Sequence, residues 1–536
     1  MERSSSLNPQ QRQSDLSRMA SEFFDVVVVG GGVTGCGVAL DAVSRGLSVA
    51  LVEQRDLASG TSSRSSKLIH GGLRYLEQLN FGLVREALSE RNLMLNRLCP
   101  HLVEPVSFLY PLQHRFWERI YVGAGILLYD ILARFAKNPL PRHRHLSRRA
   151  ALELSPGLKR SSLTGAVKYW DAMVDDARHT VALARTAVSR GALVATSSRV
   201  TGMLMEEGRV GGVVVRDLEG GRELTIRARS VISATGVWTD DLQELAGDHG
   251  IDVVASKGVH LVIPRSKIES DTGLILRTEK SVLFVIPWPD HWIIGTTDTP
   301  WRLRRAHPAA SSTDIEYLLD RVNAALVKPI SHEDVVGVYA GLRPLLTGES
   351  EETSRLSREH AVLESESGLI SVAGGKYTTY RVMARDAVDA ALRRMEKNVP
   401  GSTTDRIILV GAERSGELER LCAERPDLGA RLGDSRFTRA EALYAVTDEG
   451  ALHLDDILTR RTRISVETAD RGTMVADEVA RLVAPELGWS DQDVKREVAH
   501  YLARVQAERD SQTRPDDRTA DAARMGAADV RLGGLD

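Results

Sequence analysis

Gly30-x-Gly32-x-x-Gly35 follows a run of branched apolar residues, Val26 to Val29, and leads into a helical pattern from Thr34 to Arg45. Glycines at this spacing let a backbone turn tightly and approach a pyrophosphate, while the helix start offers unpaired N–H groups and partial positive charge. A second apolar run, Leu47 to Val52, ends at Glu53 and Gln54. A carboxylate about 20 residues after the glycines can accept hydrogen bonds from a ribose, and it disfavours a 2′-phosphate. Strand, glycines, helix, strand and acid in this order predict a dinucleotide site. Its closing elements return far downstream, at Ala234-Thr235-Gly236 with Trp238 and at Gly374-Gly375-Lys376. One cofactor touched by segments so far apart suits the extended FAD better than NAD, and no second nicotinamide motif is apparent.

These groups need a large scaffold, and 536 residues predict two to four domains. The formal net charge of -3 gives no global basic field, which argues against nucleic acid as a partner. Cys36, Cys99 and Cys422 are odd in number and lack metal-ligand spacing, so neither a metal site nor a disulfide framework is expected. That usage fits a reducing, cytoplasmic compartment. The longest apolar run, Ile120 to Phe135, is interrupted by Asp130 and falls short of the roughly 20 residues a spanning helix needs. Its cationic flanks, Arg119 and the cluster from Arg142 to Arg149, suit an amphipathic segment lying on a membrane surface.

Leu193 to Ala195 and Val231 to Ala234 read as further buried strands, with a helix from Ala177 to Arg190. From about Ser256 to Leu346 short strands dominate: His260 to Ile263, Val282 to Pro287 and Trp292 to Gly295. The expected organisation is a disordered extension over 1–22, a dinucleotide domain over 23–255 and 347–398 with a helical insert at 80–150, and a cap domain over 256–346. A helical domain over 399–507 and a mobile tail over 508–536 complete it.

Longer motifs then become recognisable. Ser62-Ser63-Arg64-Ser65-Ser66-Lys67-Leu68-Ile69-His70-Gly71-Gly72-Leu73-Arg74-Tyr75-Leu76-Glu77 resembles the signature of FAD-dependent, respiratory glycerol-3-phosphate dehydrogenases. So do Gly341-Leu342-Arg343-Pro344-Leu345 and Gly374-Gly375-Lys376-Tyr377-Thr378-Thr379-Tyr380-Arg381. Trp170, Val174-Asp175-Asp176-Ala177-Arg178, Lys257-Gly258-Val259-His260 and Ile294-Gly295-Thr296-Thr297-Asp298 also look like that family. The resemblance runs in order from about Asp25 to Arg381. It implies an α/β fold: a Rossmann-like FAD-binding domain with a mixed-sheet substrate cap, as in glycine and D-amino-acid oxidases, and a C-terminal helical domain. It further implies oxidation of glycerol 3-phosphate to dihydroxyacetone phosphate, a quinone acceptor, and peripheral attachment to the inner face of the cell membrane. A homodimer is an open option. Oxygen as acceptor, or a nucleotide-binding regulatory module without turnover, are the competing readings. Val259 stands where the family pattern suggests a small polar residue, a change expected to alter packing rather than chemistry.

The family pattern assigns Arg74, Arg343 and Arg358 to the substrate side, where a planar guanidinium can hold two phosphate oxygens. Tyr75 and Thr379 join them. His260 is the candidate base, because histidine titrates near working pH without much tuning. His70 competes for that role but sits beside a glycine turn that suits flavin support. Lys376 is placed to stabilise developing negative charge on substrate or cofactor. The resemblance puts Thr61, Ser62, Ser63, Ser66, Lys67, Leu68, His70, Gly341, Arg343, Gly375, Lys376, Tyr377 and Thr378 against FAD, with Gly30, Gly32, Thr34, Gly35, Glu53, Gln54, Ala234, Thr235, Gly236 and Trp238 from the dinucleotide motif.

Overall fold

The computed structural model describes residues 4–531 apart from 73–79, 115–116, 134–139, 280–281, 348–358, 396 and 528. Branched residues build the centre of an eight-stranded sheet. Phe23–Val29 pairs in parallel with Val49–Val52 on one side and Glu223–Ser233 on the other. Leu193–Ala195 and Ile370–Gly374 extend the parallel core, and His360–Glu364 pairs antiparallel at one edge. Alternation decides what covers each face. Val26 and Val28 pack with residues of helices Val33–Ser44, Asp176–Ser189 and Tyr380–Met395. Val27 and Val29 face the other way, onto the antiparallel ribbon Ser198–Glu206 and Arg209–Asp217 and onto an N-terminal helix. Both faces are covered, which is why these strands read as continuous apolar runs.

That N-terminal helix, Pro9–Ser21, replaces the disordered extension expected over 1–22. Asn8 caps it through Gln11 N–H at 2.8 Å. Leu16 and Met19 are buried, Arg12 pairs with Asp217 at 2.7 Å, and Asp15 accepts the Val194 N–H at 3.0 Å. Its apolar stripe is only two large residues wide, too little to register in composition.

The second sheet has ten strands. Val253–Pro264 runs antiparallel to Gly337–Leu346 and to His291–Gly295, which continues to Val282–Trp288 and Gly273–Arg277. Gly273–Arg277 then pairs in parallel with Val103–Leu112, which joins Gly165–Val174, and Leu68–Ile69 lies on the far side of that strand. The cap is therefore not confined to 256–346. The stretch 80–150 is not a helical insert either: helices Phe81–Leu93 and Trp117–Ala133 flank a cap strand, and Arg144–Ser147 adds another. Pairing partners far apart in sequence leave no local signature, so the boundaries drawn from local pattern missed them.

Helices Arg414–Glu424, Arg439–Thr447, Ala476–Leu487 and Asp491–Gln512 form the C-terminal region. The described residues of the tail expected to be mobile after 508 are instead docked. Asp491–Gln512 runs past that point, and Asp517–Arg524 packs Ala520 against Val237, Trp301 and Leu342. Asp517 and Asp314 both hold the buried Lys257 ammonium, and Arg531 pairs with Asp456 at 3.0 Å. Its Asp, Arg and Ala content reads as solvated until those buried counter-charges are supplied.

His453 fastens this region to the turn after strand Arg209–Asp217, with Nδ1 at 3.0 Å from Glu497 and Nε2 at 2.9 Å from Glu219. Burial and Arg531 oppose the imidazolium, yet the two carboxylates outweigh them and raise its pKa to about 10. Removing one partner of a buried ionic group leaves uncompensated charge, so His453→Gln should destabilise the fold by about 3–5 kcal/mol near neutral pH. The folded pKa lies above the ordinary 6.5, so the ionic contribution is complete below that value and disappears as pH rises through about 10. Urea unfolding of wild type and variant should converge across that window; a pH-independent gap would contradict the ionic clamp.

Candidate active site

Between the two sheets lies a cavity of about 810 Å³. The parallel sheet supplies one wall: Gly30, Gly32 and Thr34 from the first turn, Glu53 and Gln54 from the second strand, and Ala234, Thr235, Gly236 and Trp238 after the third. The loop with Thr61, Ser62, Ser66, Leu68 and His70 crosses it. The cap contributes His260, Gly341 and Arg343, and the turn before helix Tyr380–Met395 adds Gly375, Lys376, Tyr377 and Thr378.

The glycine turn is shaped for close approach. Gly30 has φ +112°, and a Cβ there would stand 2.6 Å from the Ala234 carbonyl oxygen. A Cβ on Gly35 would meet the Gly30 carbonyl at 1.8 Å, so this glycine packs helix against turn and does not itself line the cavity. Helix Val33–Ser44 starts without a side-chain cap, and Ser62 Oγ accepts the Val33 N–H at 2.9 Å. Glu53 accepts N–H groups from Gly31 at 2.6 Å and Arg55 at 2.9 Å. Burial raises its pKa above the usual value, against those bonds. A helix start lining the cavity, open backbone and an oriented carboxylate fit a pyrophosphate joined to a ribose.

At the cap end, His260 Nε2 lies 2.8 Å from Ser66 Oγ, and the ring stacks on Tyr339 with centroids 4.8 Å apart. Burial, then the cations Arg343 and Lys67, depress the imidazole pKa well below its ordinary value, so the ring is neutral at working pH. Arg343 Nη2 donates to Thr296 Oγ1 at 3.0 Å, both its terminal nitrogens reach the Thr297 carbonyl at 3.2 Å, and Asp298 lies at 3.5 Å. Thr61 Oγ1 donates to the Leu342 carbonyl at 2.6 Å, tying the loop to the same cap strand.

Some expected site residues lie elsewhere. Ser63 and Lys67 are behind the cavity wall: Lys67 Nζ reaches the Ser63 carbonyl at 2.6 Å and Asp176 at 2.7 Å. Thr379 is buried outside the lining, its hydroxyl 3.3 Å from the Lys376 carbonyl. Tyr377 lines the cavity, but its hydroxyl turns away toward the Asp176 carbonyl and His179. Arg74, Tyr75 and Arg358 fall outside the described residues. Conversely, the structure adds Arg64, Ser198 to Val200, Arg302 to Ala306 and Asp521 to the lining. Arg64 could have been noticed as the one charge inside a serine-rich loop. The others sit on segments with no motif.

A family model for FAD dependent oxidoreductases (DAO) matches residues 25–381, and one for the C-terminal domain of alpha-glycerophosphate oxidase matches 414–494. The glycerol-3-phosphate dehydrogenase of Mycobacterium leprae (strain TN) is 54% identical over 98% of this chain and 96% of its own length. The mitochondrial glycerol-3-phosphate dehydrogenase of Mus musculus is 35% identical over 87% of this chain and 71% of its own. The chain belongs to the FAD-dependent glycerol-3-phosphate dehydrogenase family. A crystal structure of the Bacillus halodurans glycerol-3-phosphate dehydrogenase complexed with FAD shares the fold at TM-score 0.75 and 28% identity, covering 93% of this chain and 98% of that one. FAD is accordingly the cofactor.

In this chain the Val259 side chain is fully buried in the cap core, while its N–H donates to Thr297 Oγ1 at 3.0 Å. Cys36 is likewise buried, and burial raises its thiol pKa far above the usual value, consistent with packing rather than redox work. Gly30→Ala should shift the turn that approaches the cofactor, at a strain of about 1–3 kcal/mol. The purified variant is expected to bind FAD at least ~10-fold more weakly, read from visible flavin absorbance after gel filtration. Full flavin occupancy at wild-type affinity would show that this turn does not govern FAD binding.

Proposed function

We propose that this chain oxidises sn-glycerol 3-phosphate at C2 to dihydroxyacetone phosphate and passes the electrons to a membrane quinone. The observation carrying the reading is that His260, Arg343 and Lys376 line the same cavity as the glycine turn and Glu53. Bound FAD supplies, at N5, the acceptor for a hydride from C2.

The chain's own residues supply position, charge and a proton acceptor. Arg343 offers a guanidinium to the phosphate dianion, its orientation set by Thr296 and Thr297. Lys376 stabilises the alkoxide as the C2 hydroxyl ionises. His260 takes that proton. Nδ1 is enclosed without a hydrogen-bond partner among the described residues, so Nε2, beside Ser66 Oγ on the cavity wall, is the atom that exchanges the proton. A phosphate dianion near Arg343 offsets one of the cations that depress the imidazole, so the base strengthens as substrate arrives.

Membrane contact is assigned to helix Trp117–Ala133. Ile126 and Tyr129 are buried there, while Ile120 and Leu127 are 73% and 51% exposed. Among the described residues no helix is long and apolar enough to cross a membrane. A surface contact with the inner leaflet would bring the flavin's electrons to a lipid-soluble acceptor. The match of 414–494 to an oxidase domain keeps oxygen as the competing acceptor.

Anaerobic glycerol 3-phosphate should bleach the flavin, and a quinone analogue should restore the colour faster than oxygen does. Bleaching by an amino acid instead, or faster recovery with oxygen, would reject the substrate or the acceptor. Arg343→Ala should raise KM with FAD retained. The pH profile of kcat/KM reports the free-enzyme base, so its acid limb should lie below pH 6.5 in wild type. It should move upward in Arg343→Ala, which removes a cation. An unmoved limb would assign the base elsewhere.

A further inference from the structure

A second cavity, of about 80 Å³, lies where the cap, the serine-rich loop and the C-terminal helices meet. Arg64, Arg471, Arg504 and Arg524 line it, with Asp455 and Glu508 as the carboxylates on its wall. Lys67 and Arg463 also border it, but they are already paired with Asp176. Glu508 is shared by Arg471 and Arg524, at 3.2 Å from each. Asp455 is shared by Arg504 and Arg460. The Arg64 guanidinium has one hydrogen bond, to the Ala306 carbonyl at 3.2 Å, and no carboxylate within ion-pair distance among the described residues. Clustered guanidinium groups therefore outnumber the carboxylates that serve them.

Such an excess is costly away from water unless an anion enters. The surrounding groups register it. Burial, then Arg504 and Arg524, pull Arg64 down to about 9. Burial and Arg504 lower Arg524, and burial with Arg55, Arg504, Arg524 and Arg64 presses His307 well below its usual value.

We propose that this cavity is a binding site for one small tetrahedral oxyanion of the phosphate class, held by Arg64, Arg471, Arg504 and Arg524. Guanidinium forks suit such an anion, since each presents paired donors to two oxygens. The space is about a tenth of the cofactor cavity, which excludes a nucleotide. Arg64 borders both cavities, and Arg524 ends the helix whose Asp521 lines the cofactor cavity. Occupancy thus ties helix Asp517–Arg524 to the cofactor's surroundings. The anion is either free inorganic phosphate or the phosphoryl group of a phosphomonoester.

The test uses the full chain loaded with FAD. Inorganic phosphate, glucose 6-phosphate and chloride are compared at equal ionic strength by calorimetric titration and thermal unfolding. Counted in Arg343→Ala, which lacks the substrate-side phosphate ligand, one phosphate should bind per chain, with a rise in Tm beyond that from chloride. Glucose 6-phosphate inert means free phosphate is the ligand; glucose 6-phosphate binding equally means the phosphoryl group of an ester is. Arg504→Gln and Arg524→Gln should each weaken binding at least ~10-fold, losing charge-assisted hydrogen bonds. Arg343→Ala, outside this cavity, should retain it. Arg524→Gln, at the last turn of the terminal helix, keeps the test decisive should Arg504→Gln fail to fold. Phosphate and chloride acting alike, binding undiminished in the folded variants, or binding abolished by Arg343→Ala would each overturn the proposal.

Discussion

The buried carboxylate of Asp176 is the junction on which the site depends. It accepts from the Ser65 N–H at 3.0 Å, the Ser65 hydroxyl at 2.7 Å, the Lys67 ammonium at 2.7 Å and the Arg463 guanidinium at 2.5 Å. Its own carbonyl receives the Tyr377 hydroxyl at 2.7 Å. Three distant segments are thereby fixed to one helix start: the serine-rich loop, the Gly375 turn and the C-terminal region. A fully buried carboxylate is tolerable only when several donors and cations compensate it. The same arrangement explains Lys67. Burial and Arg463 lower its pKa to about 8 despite Asp176, so its charge is consumed in holding the loop. That loop places Ser62 under the first helix and Ser66 against His260.

From this anchor the two sheets interleave rather than sit side by side. The chain leaves the parallel sheet after Val49–Val52, contributes Leu68–Ile69 and Val103–Leu112 to the cap, and returns through Gly165–Val174 to the helix that begins at Asp176. The parallel-sheet wall and the cap wall of the cavity are thus consecutive pieces of chain, fastened at both ends. Preorganisation follows, because the polar groups facing the cavity owe their positions to bonds made elsewhere. Arg343 is oriented by Thr296 and Thr297, and Glu53 by Gly31 and Arg55.

The C-terminal region completes the wall electrostatically. Arg460 and Arg461 reach Asp56, just beyond Glu53, at 2.5 Å and 2.7 Å. Arg463 reaches Asp175 and Asp176. Desolvated arginine is less costly than lysine at such seams, since its charge is delocalised and its donors are preformed. The terminal helix adds Asp521 to the cofactor cavity and the second ammonium contact to Lys257.

Local order was legible in the sequence. The βαβ unit, the glycine turn, Glu53 and the later small-residue turn depend on backbone sterics and on near-neighbour apolar pattern, which a linear string contains. Gly30, Gly32, Thr34, Glu53, Gln54 and the turn from Ala234 to Trp238 meet in one cavity, and the long motifs carried the family. What the string did not contain was pairing between remote charges and remote strands. Pro9–Ser21 looked unstructured because Arg12 and Asp15 find partners at Asp217 and Val194. Lys67 looked like a cofactor ligand because its carboxylate lies more than a hundred residues away. The extent of the cap, the enclosure of His260 and the crowding of arginines around Arg64 are equally properties of distance and dielectric. Those exist only once the chain has closed on itself, and the tertiary structure alone decided them.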